Sequence, residues 1–131
     1  MRVLIDTHTF LWFVRNDISL TKTARELLED TKVEVLISIA SIWEMSIKTA
    51  INKLTIDGGF AQVQNDLTLN SFEILPINFD HTLRQNQLPF HHRDPFDRMI
   101  AAQALVENID LISVDPVFDA YFEGSGVKRI W

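Results

Sequence analysis

The sequence contains no cysteine, and only four glycines and four prolines occur among its 131 residues. The absence of cysteine excludes disulfide bonds, zinc–thiolate sites and thiol nucleophiles, and it is compatible with a reducing compartment, so we expect a cytoplasmic protein. With so few glycines and prolines, no flexible linker separates two regions of the chain, and no internal repeat is present. Residues 1–131 are therefore predicted to form a single domain with its own core.

Long apolar runs are also absent. The apolar stretch at the amino terminus is interrupted by Asp6 and His8, and it falls short of the roughly 18 apolar residues of a membrane span. We expect it to form a buried first strand, neither a leader peptide nor a membrane anchor.

Positive charge is scarce, because 12 lysines and arginines face 18 aspartates and glutamates, for a formal net charge of −6. A protein that holds nucleic acid by bulk electrostatics needs a basic surface, so this balance argues against a passive nucleic-acid binder. The argument is weaker for a metal enzyme, because a bound divalent cation is then the dominant local charge.

Short apolar runs alternate with helical patterns along the chain. The runs predict buried strands at Val3–Ile5, Val33–Ser38, Phe72–Ile77, Leu111–Val114 and Val127–Trp131. Helical spacing of apolar residues predicts helices at Thr7–Arg15, Lys22–Asp30, Ile39–Ile51, Phe60–Leu69, Phe79–Gln87 and Pro95–Asn108. Thr21 and Asp94 are the predicted N-caps, and Asn108 is a predicted stop. The predicted fold class is α/β, a three-layer α/β/α sandwich around a parallel sheet of four to five strands.

Two aspartates directly follow predicted strands. Asp6 follows Val3–Ile5, and Asp115 follows Leu111–Val114. Each also has a purely structural interpretation, because Asp6 is suited to cap the next helix and Asp115 to form a turn before Pro116. In open parallel sheets, however, sites form beyond the carboxyl ends of strands, so the topology alone places both carboxylates at one edge.

Two further acids lie on predicted helices. Glu44 has Ile47 and Ile51 beside it and so borders an apolar face, where a carboxylate is costly to bury without a cation or a donor. Its alternative role is an exposed ion pair with Lys48. Asp97 lies in the first turn of its helix, where its alternative role is to complement the helix dipole.

Several carboxylates packed together repel one another and raise one another's pKa values, and a bound cation relieves that conflict. Mg²⁺ and Mn²⁺ prefer oxygen ligands. We therefore expect Asp6, Glu44, Asp97 and Asp115 to be the metal ligands and the catalytic residues. A metal held there activates water for hydrolysis at phosphorus, without a serine or cysteine nucleophile.

Three segments of the chain resemble the PIN-domain nucleases, specifically the VapC-type toxins of toxin–antitoxin pairs. They are MRVLIDTH at residues 1–8, SIASIWEMSIK at residues 38–48 and HRDPFDRMIAAQA at residues 92–104. The last two are similar to the family patterns S-x-A-S-x-W-E-x-x-I-K and HRDPFDR-x-x-x-AQA. Two departures are Asn52, where many relatives have glycine, and Ser113, where threonine is commoner. The resemblance assigns the four acidic positions of the family to the same four acids.

The resemblance implies an RNA endonuclease that uses Mg²⁺ or Mn²⁺, inhibited by a cognate antitoxin from an adjacent gene and forming a homodimer. Five residues beside the acids are predicted to position the substrate: Thr7, Ser113, Arg98, His92 and Arg93. His92 and Arg93 have the alternative role of an ordinary polar loop, and Arg98 that of an exposed surface residue. Aromatic residues on the early helices, namely Trp12, Phe13 and Trp43, are predicted to be exposed and to contact a protein partner. Their alternative role is that of core residues or scattered surface aromatics.

Other functions also fit parts of the pattern. A phosphatase-like hydrolase would use Asp6 as a covalent nucleophile, but it needs a second carboxylate at position 8, where this chain has histidine. A phosphoacceptor domain would explain Asp6 but neither Glu44 nor Asp97. The alternative without catalysis is a module that binds RNA or protein and does not cleave it.

Overall fold

The structure, a computed structural model, describes all of residues 1–131. Its strands are β1 (Arg2–Ile5), β2 (Glu34–Ser38), β3 (Glu73–Leu75), β4 (Asp110–Ile112) and β5 (Arg129–Ile130). Its helices are α1 (Thr7–Val14), α2 (Lys22–Glu29), α3 (Ile39–Ala50), α4 (Gln62–Leu69), α5 (Phe79–Gln87), α6 (Pro95–Glu107) and α7 (Val117–Phe122).

All five strands pair in parallel in one sheet with the order β3-β2-β1-β4-β5. The first strand, β1, is therefore central. The next two strands, β2 and β3, lie on one side of it, and β4 and β5 lie on the other. This arrangement confirms the predicted α/β class and the parallel sheet, with five strands.

Each face of the sheet has its own apolar core. Val3 and Ile5 of β1 point into a core shared with α1, α2, α4 and Met45 of α3. Leu4, between them in the sequence, points into the opposite core, which is built mainly by α6 and α7. Because side chains alternate along a strand, a continuous apolar run fills both cores, and the three-layer sandwich follows.

The helix ends follow the capping residues that the sequence predicts. The Thr21 side chain accepts a hydrogen bond at the start of α2, and Asp94 does so at the start of α6, where Pro95 is the first helical residue. Asn108 ends α6 in the left-handed conformation with φ of 54°. Asparagine adopts this conformation more readily than most residues, which is why it stops the helix.

One helix departs from the prediction, because α7 was not expected. It follows Asp115-Pro116, where a turn was the structural alternative for Asp115, and it buries Phe118, Tyr121 and Phe122. The longest helix, α6, has 13 residues, and none of the helices could span a membrane.

Candidate active site

The central strands β1 and β4 lie side by side, and polar residues follow the carboxyl end of each. Asp6 follows β1, whereas Ser113 and Asp115 follow β4. The strand order reverses at this point, since β2 and β3 lie on one side of β1 and β4 and β5 on the other. Open α/β sheets bind ligands in the crevice at such a reversal.

Asp6 is buried, and both of its carboxylate oxygens accept hydrogen bonds. Its Oδ1 accepts from the Thr9 amide at 3.0 Å and the Thr9 hydroxyl at 2.7 Å, and its Oδ2 accepts from the Ser113 hydroxyl at 2.5 Å. Burial raises the pKa of Asp6, while the bonds from Ser113 and Thr9 oppose that rise. Asp6 thus caps α1, and the same contacts fix its carboxylate between β1 and β4.

Glu44 is also buried, on α3. Its Oε1 accepts a hydrogen bond from the Thr7 hydroxyl at 2.6 Å, and its Oε2 lies 2.6 Å from the Lys48 ammonium. The bond to Glu44 raises the pKa of Lys48. The ion pair that we considered as an alternative is therefore present, but its carboxylate is buried, and a hydroxyl and an ammonium offset the cost of that burial.

Asp97 and Asp115 meet at a histidine. His92 Nε2 lies 3.0 Å from Asp97 Oδ2 and 3.4 Å from Asp115 Oδ2. One ligand atom from each of the three residues lies within 4.8 Å of the others. Asp115 Oδ1 also accepts a hydrogen bond at 2.9 Å from the amide of Val117, the first residue of α7. Its own amide donates to the Ser113 hydroxyl at 3.1 Å, which links it to Asp6.

Burial and neighbouring acids raise the pKa of Asp97 to about 7. Burial contributes most, followed by the carboxylate of Asp94, and the carboxylates of Asp6 and Glu44 add to the rise. His92 acts in the opposite direction. The carboxylates of Asp6 and Glu44 therefore repel the carboxylate of Asp97, so the protonation of Asp97 depends on the charge of both.

This donor set fits a hard divalent cation. A carboxylate oxygen of Asp97 and one of Asp115 lie within 4.8 Å of each other, and burial together with the neighbouring acids raises the pKa of Asp97. A cation relieves such crowding of like charges. Asp97 and Asp115 are the more accessible acids, because their side chains are 23% and 32% exposed, whereas Asp6 and Glu44 are buried.

A family profile described as the PIN domain matches residues 3–122, which is most of the chain and includes all four acids. The chain belongs to the PIN domain family. The family resemblance seen in the sequence is thereby confirmed.

Solved structures with the same fold are complexes of toxin–antitoxin type. A chain of DNA-bound VapBC from Salmonella typhimurium is 20% identical with a TM-score of 0.70, covering 99% of this chain and 97% of that one. A chain of promoter-bound VapBC2 from Rickettsia felis is 17% identical with a TM-score of 0.68, covering 99% and 98%. A chain of VapBC-5 from Mycobacterium tuberculosis is 19% identical with a TM-score of 0.65, covering 98% and 97%. At such low sequence identity, the structural similarity shows a common fold and nothing further. No sequence match was found among curated proteins.

Two residues predicted to position substrate instead hold acids of this PIN domain. Thr7 and Ser113 are buried, and their hydroxyls donate to Glu44 and Asp6. A buried hydroxyl that already donates to a carboxylate is not free to contact an incoming phosphate. We therefore correct their role to that of positioning the two carboxylates.

The prediction for Arg98 is also corrected, because its side chain is neither exposed nor free to bind phosphate. The guanidinium is buried and lies 4.1 Å from the ring centre of Phe90. It donates to the carbonyl oxygens of Gln85, Leu88 and Pro89 and to the hydroxyl of Tyr121. Arg98 thus anchors the loop between α5 and α6.

His92 and Arg93, which follow each other in that loop, have different environments. Only 22% of the His92 side chain is exposed, and it contacts two acids of the PIN domain, so it is not an ordinary surface-loop residue. Arg93 is exposed, and its contact with substrate remains a prediction.

Sequence reasoning missed three residues that contact the site. Thr9 bonds to Asp6, Lys48 was considered only as a surface ion-pair partner, and Tyr121 was not singled out. A hydroxyl three residues after a capping aspartate was a usable signal for Thr9. The sequence carries no comparable signal for Tyr121, because its contact with the α5–α6 loop depends on the unexpected helix α7.

The predicted exposed aromatics divide into two groups. Trp12 is half-buried against Trp131, and Phe13 is half-buried against Phe72, so both complete the core instead of forming a free surface. Trp43 is 61% exposed, as predicted.

Proposed function

We propose that this PIN domain is a metal-dependent ribonuclease that hydrolyses phosphodiester bonds in RNA. The observation that carries the proposal is the convergence of Asp97, Asp115 and His92 at the carboxyl edge of the sheet, where Asp6 and Glu44 also raise the pKa of Asp97. PIN domains are generally nucleases, which agrees with this arrangement. The choice of RNA, cut internally, rests on the resemblance to VapC-type toxins.

The chain's own residues hold the site in one arrangement. Asp97 and Asp115 are proposed to bind Mg²⁺ or Mn²⁺, with Asp6 and Glu44 as the other two carboxylates. When bound, the cation acts as a Lewis acid and lowers the pKa of a water molecule that it coordinates. The hydroxyls of Thr7 and Ser113 fix two of the acids before any ligand arrives.

Positive charge at the site comes from Lys48. Its ammonium pairs with Glu44, and the carboxylates of Asp94 and Asp97 also contribute to its raised pKa. Lys48 therefore stays protonated at neutral pH, close to the acids. We propose that it offsets part of the negative charge of these acids where the phosphate backbone approaches, in a protein of net charge −6.

The phosphatase-like alternative is less well supported by the geometry. A nucleophilic carboxylate needs an oxygen free to attack, whereas Asp6 is 4% exposed and each of its oxygens accepts a hydrogen bond. A phosphorylated enzyme trapped on Asp6 would favour that alternative over activation of water.

The first experiment compares single-stranded RNA cleavage by the wild-type chain and by Asp97→Asn and Asp115→Asn, with Mg²⁺ or Mn²⁺ present. We expect each substitution to lower the rate by about 100-fold or more, because each removes a metal ligand. Asp119→Asn is the matched control, since Asp119 is an exposed acid paired with Arg129. Unchanged cleavage by Asp97→Asn would contradict the proposal.

We also propose that the chain is the toxin of a toxin–antitoxin pair. The solved structures with this fold are VapBC complexes, and Ile39, Trp43 and Ile47 leave an exposed apolar face on α3. A partner that covers this face should inhibit cleavage and raise the melting temperature. Co-expression with the adjacent upstream reading frame tests this proposal. Absence of both a complex and relief of toxicity would contradict it.

A homodimer in the cytoplasm is proposed on the resemblance alone. Light scattering at micromolar concentration should give twice the mass of the 131-residue chain. A monomer at that concentration would contradict the dimer, and cell fractionation tests the location.

A further inference from the structure

The loop that precedes α6 brings His92 against two acids of the proposed metal site. Its Nε2 lies 3.0 Å from Asp97 Oδ2 and 3.4 Å from Asp115 Oδ2, and the side chain is mostly buried. These two acids come from different elements, because Asp97 is in α6 and Asp115 precedes α7. His92 is the residue whose side chain contacts both of them.

The hydrogen bond at the other ring nitrogen decides where the proton of His92 is. The Asp94 amide donates to His92 Nδ1 at 3.1 Å. An amide can donate only to a nitrogen that carries no proton, so neutral His92 carries its proton on Nε2, the atom next to the two carboxylates. A protonated Nε2 offers a donor to carboxylates and has no lone pair for a cation.

The main chain of His92 is also held by a hydrogen bond. Its amide donates to the Tyr121 hydroxyl at 2.8 Å, and this hydroxyl also accepts from Arg98 Nη1 at 3.2 Å. Tyr121 and Arg98 are both buried. The hydroxyl of Tyr121 therefore connects α7, α6 and the loop, and it holds His92 in its position between the acids.

We propose that His92 is a positioning residue, which sets the carboxylates of Asp97 and Asp115 through its Nε2–H and is itself held by the hydroxyl of Tyr121. The inference deepens the proposed function, on which it rests, by assigning the histidine a role toward the metal-binding acids without making it a ligand. Carboxylates that bind metals are commonly oriented by such hydrogen-bond donors, whose loss typically weakens metal binding by about 10–100-fold.

Calorimetric titration with Mn²⁺ tests the role in the whole chain. We expect His92→Leu and Tyr121→Phe to weaken Mn²⁺ binding by about 10–100-fold. His92→Gln, which keeps an N–H donor near the position of Nε2, should restore most of the affinity. His91→Leu is the matched control, because His91 is exposed and contacts the ring of Tyr121 without contacting the acids. Circular dichroism establishes that each variant is folded.

Nitrogen NMR of the histidine ring gives a second readout, which does not depend on cleavage. We expect His92 to keep its proton on Nε2 both without metal and with saturating Mg²⁺. Loss of the Nε2 proton on Mg²⁺ binding would show a direct ligand and overturn the inference, as would wild-type Mn²⁺ affinity in folded His92→Leu. If the wild type cleaves RNA and binds Mn²⁺ but His92→Leu does so equally well, only this inference fails. If the wild type binds no Mn²⁺, the proposed function fails with it.

Discussion

Asp94 and Asp97 are separated by only two residues, yet their side chains have different partners. Asp94 Oδ1 accepts from the Phe96 amide at 2.8 Å and from the Asp97 amide at 3.4 Å, so it caps α6. Asp97 faces His92 and the acids, and its pKa is raised to about 7. At the scale of single residues, one aspartate therefore stabilises the helix, whereas the other is held at a cost to stability.

The raised pKa of Asp97 predicts a pH-dependent effect of Asp97→Asn on stability without metal. The unfolded chain releases this proton near pH 4 and the folded chain near pH 7, so folding loses stability as the pH rises between these values. Asp97→Asn removes that loss. We expect its melting temperature to exceed that of the wild type by roughly 5 °C at pH 8, and by little at pH 4. Thermal melts in chelator at both pH values check this, and equal gains at both would contradict it.

The cap at Asp94 predicts a different result. Asp94→Ala leaves first-turn amides of α6 without their side-chain acceptor and should lower the free energy of unfolding by about 1 kcal/mol. Asp94→Asn keeps the cap, so it should remain near wild-type stability and retain measurable cleavage. Urea denaturation and the RNA assay measure the two effects. If folded Asp94→Asn proved as inactive as Asp97→Asn, the charge of Asp94 would belong to the metal site.

At the scale of elements, Arg98 makes most of the side-chain hydrogen bonds that anchor the start of the loop between α5 and α6. Arg98 donates to three main-chain carbonyls and to Tyr121, as described above. Arg98→Met would remove four hydrogen bonds, two of them buried, and we expect it to destabilise the protein by at least about 2 kcal/mol. Arg93→Met is the control, because Arg93 is exposed, and it should leave the free energy of unfolding within about 0.5 kcal/mol of wild type. Similar stability of the two variants would contradict the anchoring role.

Most elements could be predicted from the sequence, because apolar periodicity and capping residues report on burial and on helix ends. The helix α5 has the predicted bounds, and α6 ends one residue before the predicted Asn108. The helix α7 was missed although the dipeptide Asp115-Pro116 directly precedes it and the same dipeptide occurs at the start of α6. Its six residues are too few for a clear helical period, and its apolar side chains are explained only by packing on the sheet.

The positions of the four acids at the strand ends and on the helices were predictable from the sequence, but the residues that contact them were not. Strand ends place Asp6 and Asp115, and the family motif singles out Glu44 and Asp97. The exposure of Arg98 was predicted wrongly, because the sequence does not distinguish an exposed arginine from a buried one that anchors a loop. Its acceptors come from a loop whose course depends on tertiary structure, and no periodicity describes such a loop.

At the scale of the whole molecule, the topology gathers acids that are far apart in sequence. Asp6 and Asp115 are separated by more than a hundred residues, yet Ser113 bonds to one and accepts from the amide of the other. The fold holds these groups in place by hydrogen bonds and packing, at an electrostatic cost that is visible in Asp97. We expect a divalent cation to offset that cost and to stabilise the folded chain, because it binds the native site and not the unfolded chain.

Metal removal and return is the measurement that tests the central claim most directly. RNA cleavage and the melting temperature are followed on one preparation, first in excess chelator and then as free Mn²⁺ is raised. We expect cleavage to be absent in chelator and to return over the Mn²⁺ range in which the melting temperature rises, with neither change in Asp115→Asn. Undiminished cleavage in chelator, or a return of activity in Asp115→Asn equal to that of the wild type, would contradict a carboxylate-bound metal as the basis of this site.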